Sequence, residues 1–306
     1  MKKIIIAIAI LLGVFCFSKA DKALASAHFT TGGSGYMLAT MPPPGLFYLL
    51  YNTWYQADDF ILNNGRKLPG DTKTRVFSQT HRFVWSMDVW VLSGNLMLDL
   101  VVPLTSYNFG RGLAGTADSR HFGMGDPYSH LTVTWHRPKF DALLSCAVFF
   151  PIGDFREDNL LTSPGKGYWG LQPTAGLTLY FDEAKTWTWS TVIRYEISFK
   201  QRKTGVREGD NFHMESSIGK QMGNVALALS TAGSWQVSDS KGKGSNAANE
   251  QRTRTFSLGP EVVVGIGRFG NLSLRCLFEV ASRNNPEGTM ATLTWTIPIF
   301  ITDTKK

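Results

Sequence analysis

The chain has 306 residues, of which 43% are apolar and 12% are aromatic, and its formal charge is +7. This composition suits one large domain, because no Pro-rich or Ser-rich linker divides the chain. Part of the positive charge lies in the first 25 residues and more lies in predicted loops at 202–203 and 241–243, which argues against nucleic acid as a partner.

The N-terminus has the three parts of a secretory signal peptide. Lys2 and Lys3 precede an apolar run at 4–17, and the small-residue site Ala23-Leu24-Ala25 follows. A membrane-spanning helix needs about 18 or more apolar residues, and this run is shorter. We therefore predict a signal peptide over 1–25, with cleavage after Ala20 as the alternative. Cleavage after Ala25 removes four lysines and one aspartate and lowers the formal charge from +7 to +4.

A segment rich in glycine and proline comes next, over 26–45, with Gly32-Gly33 and a Pro-Pro-Pro-Gly run at 42–45. We interpret it as an N-terminal segment that either stays in the periplasm or plugs the lumen of the domain that follows. A disordered leader is the alternative, since chain termini are often poorly ordered.

The rest of the chain alternates apolar and polar residues with a period of two, which is typical of β-strands. In 187–199, for example, Trp187, Trp189 and Ile193 share one face, and Arg194 and Glu196 share the other. Most such segments have about nine to fourteen residues, which suits strands that cross a bilayer, whereas soluble strands are nearer five or six. Twelve can be marked: 46–56, 75–86, 95–104, 128–136, 140–150, 168–181, 187–199, 212–221, 225–236, 253–266, 272–280 and 289–300.

Long and short connectors alternate between these segments. Long outer loops and short periplasmic turns, with an even strand number, indicate an all-β antiparallel transmembrane barrel of an outer membrane. We predict a barrel of about 12 strands over 46–300, followed by a C-terminal tail at 301–306. The alternation breaks at 87–94, so ten or fourteen strands are also possible. The long polar connectors are predicted at 57–74, 105–127, 151–167, 200–211, 237–252 and 281–288.

Ionisable residues on the polar faces are the candidate lumen residues. A charged side chain facing lipid at mid-bilayer costs about 2–4 kcal/mol, and the apolar faces carry almost no charge. Arg194 and Arg275 can pair with Glu215 and Glu261 across strands. Such pairs either form a constriction that selects solutes or fill and rigidify a small barrel. The predicted lumen and selectivity residues are Asp99, Arg194, Glu196, His213, Glu215, Glu261, Arg275 and Glu279.

Five short motifs occur in register along the chain, and together they resemble a known family. They are the Pro-Pro-Pro-Gly run at 42–45, Gly-Met-Gly-Asp-Pro at 123–127, Pro-Ile-Gly-Asp-Phe at 151–155, Gly-Asp-Asn-Phe-His at 209–213 and Arg-Asn-Asn-Pro-Glu-Gly at 283–288. This order resembles the family of outer-membrane transporters named for the meta-cleavage pathway of phenol degradation, from about Pro42 to Phe300. The resemblance implies an outer-membrane barrel associated with aromatic or poorly soluble compounds, and it implies no binding residues.

We therefore expect a channel of a Gram-negative outer membrane that takes up small hydrophobic or aromatic solutes passively. No nucleophile motif accompanies the histidines, so no enzyme activity is expected. His130 and His136 face the same side of one strand but lie about 20 Å apart, too far to share a metal, and no cofactor is expected. The expected partners are outer-membrane lipid, lipopolysaccharide and the barrel-assembly machinery, the last because the final strand ends at the aromatic Phe300. The alternatives are a structural or surface-interaction barrel with a filled lumen and, third, a lipid-modifying barrel enzyme.

Overall fold

The structure, a computed structural model, describes residues 27–114, 120–157, 159–242 and 252–302. The predicted signal peptide lies outside the described residues, as does most of the predicted tail. The strands are β1 Gly45–Ile61, β2 Thr74–Val91, β3 Gly94–Phe109, β4 Arg120–Met124, β5 Tyr128–His136, β6 Phe140–Phe149, β7 Gly170–Tyr180, β8 Trp187–Ser198, β9 Asn211–Met222, β10 Val225–Gln236, β11 Arg254–Gly265, β12 Asn271–Arg283 and β13 Asn285–Ile301.

These strands form a closed antiparallel barrel. Each strand pairs with its neighbours in chain order, and β13 pairs with β1 to close the sheet. The short β4 and the following β5 pair in turn with the two halves of β3, so together they occupy one position. The thirteen segments therefore make a 12-stranded barrel, which confirms the predicted fold class. A four-residue helix, α1 (Arg111–Ala114), and a 3-10 turn at Gly267–Phe269 lie between strands.

The distribution of polar and apolar side chains is the reverse of that in a soluble protein. Leu131 and Leu144 on the outer surface are 54% and 57% exposed, whereas the inward-facing Glu215 and Ser190 are buried. The alternation of a β-strand places these two sets on opposite faces. An apolar exterior around a polar interior is what a membrane requires of a barrel. Among the described residues, no helix is long and apolar enough to cross a membrane.

The predicted strands agree closely with the observed ones. The predictions for β5 and β10 match to the residue, and the differences elsewhere lie at strand ends. β1 continues to Ile61, which shortens the predicted connector at 57–74 to residues 62–73. The strand β4 was not predicted, because it has only five residues and lies inside the polar stretch predicted as the connector 105–127.

The break in alternation at 87–94 is a tight hairpin at the end of a strand and does not mark a missing strand. β2 continues to Val91 with an irregular register between Ser86 and Trp90. The turn residues Leu92 and Ser93 both have positive φ, 51° and 59°. A two-residue turn with positive φ at both positions is the type that matches the twist of paired strands. The barrel thus has twelve strands, and the alternatives of ten and fourteen strands are excluded.

The prediction of a long connector at 281–288 is wrong. β12 and β13 are separated only by Asn284, whose φ is 50°. The ladder between β12 and β13 stops at Phe278 and Thr289. Beyond this point the end of β12 stays paired with β11, and the start of β13 stays paired with β1. Strand ends that extend past the membrane are polar, so their composition resembles that of a loop.

We call the end of the barrel with the long connectors the loop end, and the opposite one the turn end. Cys146 and Cys276 lie on well separated strands, β6 and β12, and within the described residues both are free.

Candidate functional site

Residues 27–44 run through the interior of the barrel, and we call them the inner segment. Near the turn end, Ala39 is fully buried and packs with Leu143 of β6 and Val192 of β8. Toward the loop end, the side chain of His28 reaches Glu196 of β8. The inner segment therefore lies along the wall formed by β6 to β9 and covers most of its height.

Glycines allow the inner segment to approach this interior closely. Gly32 has a φ of +91°, and a Cβ atom there would lie 2.0 Å from Cε of Met290. A Cβ atom on Gly35 would lie 2.3 Å from Oε1 of Glu261. The backbone conformation at Gly32 favours glycine, whereas the close contacts at both positions are with the flexible ends of the Met290 and Glu261 side chains.

Glu196 holds the first part of the inner segment. Its carboxylate accepts the backbone N–H of His28 at 2.7 Å and that of Phe29 at 3.1 Å. The imidazole of His28 lies 3.1 Å from the same carboxylate, and that of His213 lies 3.3 Å from it. Glu196 and His213 are both fully buried. Two of the predicted lumen residues thus bind the inner segment.

Asp126, in the connection between β4 and β5, joins the inner segment to a loop. Its carboxylate accepts the backbone N–H groups of Gly153 at 2.9 Å and Lys166 at 2.6 Å. Nε2 of His28 lies 3.3 Å from Oδ2 of Asp126. Burial opposes ionisation of Asp126, but the hydrogen bond with His28 and the backbone N–H groups hold its pKa below the usual range. Ionised Asp126 therefore fastens the connector 150–169 beside the inner segment.

Glu215 and Arg194 hold the middle of the inner segment. Glu215 accepts the backbone N–H of Gly32 at 2.6 Å and lies 2.5 Å from Nη1 of Arg194. Nη2 of Arg194 donates to the hydroxyl of Ser34 at 2.9 Å. The guanidinium also lies 4.5 Å from the centre of the Phe29 ring, within the range of a cation–π contact.

Glu261 and Arg275 form a second, looser pair on β11 and β12. Nη1 of Arg275 lies 3.9 Å from Oε2 of Glu261, which is too long for a hydrogen bond. Glu261 instead accepts the hydroxyls of Ser230 and Ser273, each at 2.8 Å. Nη2 of Arg275 donates to the carbonyl oxygen of Gly33 at 3.0 Å. This pair therefore also contacts the inner segment.

Asp99 lies on β3, away from the other carboxylates described above. Nε of Arg82 donates to it at 2.8 Å, and Nδ1 of His130 lies 2.7 Å from it. Arg82 was not among the predicted lumen residues. The alternation of β2 places Arg82 on the inward face. Gln79 and His81 make the outward face less clearly apolar, so the two faces of β2 are harder to tell apart from the sequence.

Glu279 lies where β12 and β13 separate. Its carboxylate accepts the hydroxyl of Tyr55 at 2.7 Å and the backbone N–H of Gly288 at 2.6 Å. It therefore links β1, β12 and β13 at the loop end of the ladder. Arg275, which the sequence placed on the same strand face, pairs with Glu261 and not with Glu279.

A cavity of about 1030 Å³ remains between the inner segment and the wall formed mainly by β1 to β3 and β11 to β13. Of the eight predicted residues, Arg194, Glu261, Arg275 and Glu279 line this cavity. Asp99, Glu196, His213 and Glu215 are covered by the inner segment or by neighbouring side chains. Sequence reasoning did not predict the aromatic and hydroxyl part of the lining, which includes Tyr51, Tyr55, Tyr107, Tyr128, Thr53, Thr80, Ser78 and Thr296.

The family model described as "Putative MetA-pathway of phenol degradation" matches residues 57–295. No curated protein sequence matches the chain.

Among solved structures, the chain is similar to the COG4313 outer-membrane channel from Pseudomonas putida F1, with a TM-score of 0.76 at 14% sequence identity. The similarity covers 86% of this chain and 98% of that channel. At this identity it establishes the fold, that of an outer-membrane β-barrel.

Two further structures are more distant. The β domain of the Bordetella autotransporter BrkA matches with a TM-score of 0.48 and 10% identity, covering 84% of this chain and all of that domain. The CymD monoaromatic hydrocarbon channel matches with a TM-score of 0.45 and 13% identity, covering 91% of this chain and 95% of that channel. Similarity at this level adds no argument beyond the one above.

Proposed function

The chain belongs to the family defined by this phenol-degradation model, and on that premise we propose that it is a passive outer-membrane channel for small, uncharged hydrophobic or aromatic solutes. The observation that carries this proposal is the cavity of about 1030 Å³ beside the inner segment. Small-molecule sites have volumes of about 300–1,000 Å³, so the cavity has room for a small aromatic molecule and its surrounding water.

The chemistry of the cavity wall favours uncharged solutes. Tyrosine rings and aliphatic side chains such as Val76 and Leu49 provide apolar contact, and threonine and serine hydroxyls provide hydrogen bonds. The arginines beside the cavity all have a carboxylate near them, at Asp99, Glu215 or Glu261. A wall of paired charges gives little net attraction for an ion, whereas an aromatic ring can slide along apolar and hydroxyl groups. The driving force is the concentration gradient of the solute.

We further propose that the inner segment limits the width of the passage. Its backbone N–H groups occupy Glu196 and Glu215, which in an empty barrel would face the lumen. Release of these bonds widens the lumen along β6 to β9. Lipopolysaccharide and the barrel-assembly machinery remain the partners expected for such a barrel.

The experiment that tests the proposed function measures solute flux into vesicles containing the refolded protein. We expect faster entry of phenol or toluene than of benzoate, because the arginines beside the cavity each have a carboxylate nearby and give an anion little net attraction. The variant Thr296→Trp places an indole into the cavity and is expected to reduce the flux of phenol several-fold.

The matched control is Leu293→Trp, three residues earlier on β13 but on the lipid-facing surface, where an added indole leaves the cavity unchanged. Equal flux in both variants, or no flux in the unmodified protein, contradicts the proposal. The second outcome would favour a barrel with a filled lumen.

A further inference from the structure

A group of polar side chains lies on the lipid-facing surface of β1 and β2. The inward side chains of these strands, such as Tyr51, Thr53 and Thr80, line the cavity. By strand alternation, Asn52 on β1 and Gln79 on β2 point to the opposite side. His81 and Tyr48 share this outer face. We call Tyr48, Asn52, Gln79 and His81 the membrane patch.

The membrane patch lies on the lipid-facing surface between two exposed tryptophans. Along the same pair of strands, exposed tryptophans flank it, Trp85 toward the turn end and Trp54 toward the loop end. Aromatic girdles mark the two interfaces of a membrane barrel. The two neighbouring strands place Leu104 beside Gln79 and Leu293 beside Asn52. The patch is therefore a group of polar side chains with apolar side chains on both neighbouring strands.

Two hydroxyls elsewhere on the outer surface are satisfied within the barrel itself. The hydroxyl of Ser216 donates to the carbonyl oxygen of Ser190 at 2.8 Å, and that of Thr191 donates to the carbonyl oxygen of Glu215 at 3.3 Å. A hydroxyl bonded to the backbone of the next strand needs no external partner.

The membrane patch keeps hydrogen-bonding capacity that the barrel does not use. Nε2 of Gln79 donates to Oδ1 of Asn52 at 3.0 Å, and the hydroxyl of Tyr48 lies 2.7 Å from Nδ1 of His81. An amide has two N–H donors and one acceptor oxygen, and an imidazole has two ring nitrogens. Across the described residues, Asn52 N–H, Gln79 Oε1 and His81 Nε2 have no further partner. Unsatisfied polar groups in hydrocarbon are costly, so such residues indicate a contact.

We propose that the membrane patch is the interface through which two copies of this chain form a dimer in the outer membrane. Both copies insert in the same direction, so a twofold axis must run along the bilayer normal. Residues at equal depth then meet across the axis. Because Asn52 and Gln79 lie directly opposite each other and supply both a free donor and a free acceptor, this part of the patch is complementary to its own copy. The Asn52 N–H groups of each copy reach the Gln79 oxygen of the other.

The test uses cysteine crosslinking in native outer membranes, in a background with Cys146→Ala and Cys276→Ala. Gln79→Cys is expected to give a covalent dimer with a short flexible bismaleimide. The matched control is Ile193→Cys, on the far wall of the barrel. Gln79 is six residues from Trp85 on β2, and Ile193 is six residues from the exposed Trp187 on β8, so the two positions have similar depths. Ile193→Cys is expected to stay monomeric.

A second measurement does not depend on an introduced cysteine. The variant Asn52→Leu, Gln79→Leu, His81→Leu removes the polar groups and leaves an apolar surface. In mild detergent, we expect the unmodified protein to sediment as a dimer and this variant as a monomer. Heat-dependent migration on a gel shows that the variant has folded.

Monomeric unmodified protein, or equal crosslinking at positions 79 and 193, overturns the proposal. Because the patch lies outside the cavity, the triple variant is expected to keep the flux of the unmodified protein, so failure of the dimer and failure of the channel function can be distinguished.

Discussion

At the residue scale, the charged groups of the lumen are held by short-range partners. Glu196 and Glu215 each accept backbone N–H groups of the inner segment, and Arg194 lies between Glu215 and Ser34. A buried charge that loses its partner is costly, whereas an exposed pair contributes little because solvent screens it. Loss of one partner of an arginine–carboxylate pair therefore costs more stability inside the barrel than on its exposed surface.

This difference predicts the effect of removing one arginine. Arg194→Met leaves Glu215 buried without its cation, and we expect a loss of about 3–5 kcal/mol in the free energy of unfolding. Arg252→Met is the matched control, because Arg252 pairs with Asp239 at 2.9 Å but both side chains are half exposed. Such an exposed pair contributes little to stability, because solvent screens it. Urea unfolding followed by tryptophan fluorescence measures both, and equal losses would contradict the prediction.

At the scale of elements, strand alternation identified every long strand, and the misassigned regions lie where strands leave the membrane. The ends of β12 and β13 are polar and diverge, so their composition is that of a loop although their backbone pairs with β11 and β1. Glu279 links the two strands where the ladder between them stops. A single carboxylate thus joins β12 to β13 where their backbone hydrogen bonds end.

We expect Glu279→Ala to loosen this part of the wall, since the N–H of Gly288 loses its acceptor. Hydrogen exchange at Gly288 is expected to accelerate at least tenfold relative to the unmodified barrel. Tyr55→Phe is the control: it removes the other hydrogen bond to Glu279 but leaves the one from Gly288. Equal protection of Gly288 in the unmodified barrel and in Glu279→Ala would show that the carboxylate does not hold the two strands together.

At the scale of the whole molecule, the inner segment divides the lumen into a packed side and an open side. It packs mainly on β6 to β9 and also contacts Glu261 and Arg275 on β11 and β12. The cavity follows β1 to β3 and the rest of β11 to β13. Twelve strands enclose more space than the side chains of the wall fill, because about eight strands already suffice for a filled interior. The width of the passage therefore depends on a segment that belongs to no strand.

Deletion of residues 27–40 is expected to increase the single-channel conductance several-fold in planar bilayers, because the lumen beside β6 to β9 becomes accessible to water. Unchanged conductance would show that the inner segment does not limit the passage.

Two point variants provide a finer control for the deletion. Gly32→Ala is expected to raise the conductance partly, because its Cβ atom meets Met290 and its φ of +91° suits only glycine. Gly33→Ala is expected to change nothing, because no atom lies within 4 Å of the added Cβ atom.

The sequence by itself determined the barrel, its strand number to within two, and which residues face inward. The physical reason is that alternation along a strand is local: each segment must present an apolar face to lipid and a polar face to the lumen. It also identified the charged residues that meet inside, since Arg194 and Glu215 lie on the inward faces of neighbouring strands.

Only the tertiary structure decided what those residues contact. Glu196 and Glu215 bind N–H groups more than 150 positions away along the chain, and no local pattern encodes such a contact. The path of the inner segment, the shape of the remaining cavity and the depth of the membrane patch all depend on closure of the barrel, which brings β13 to β1 and sets every strand at a fixed register.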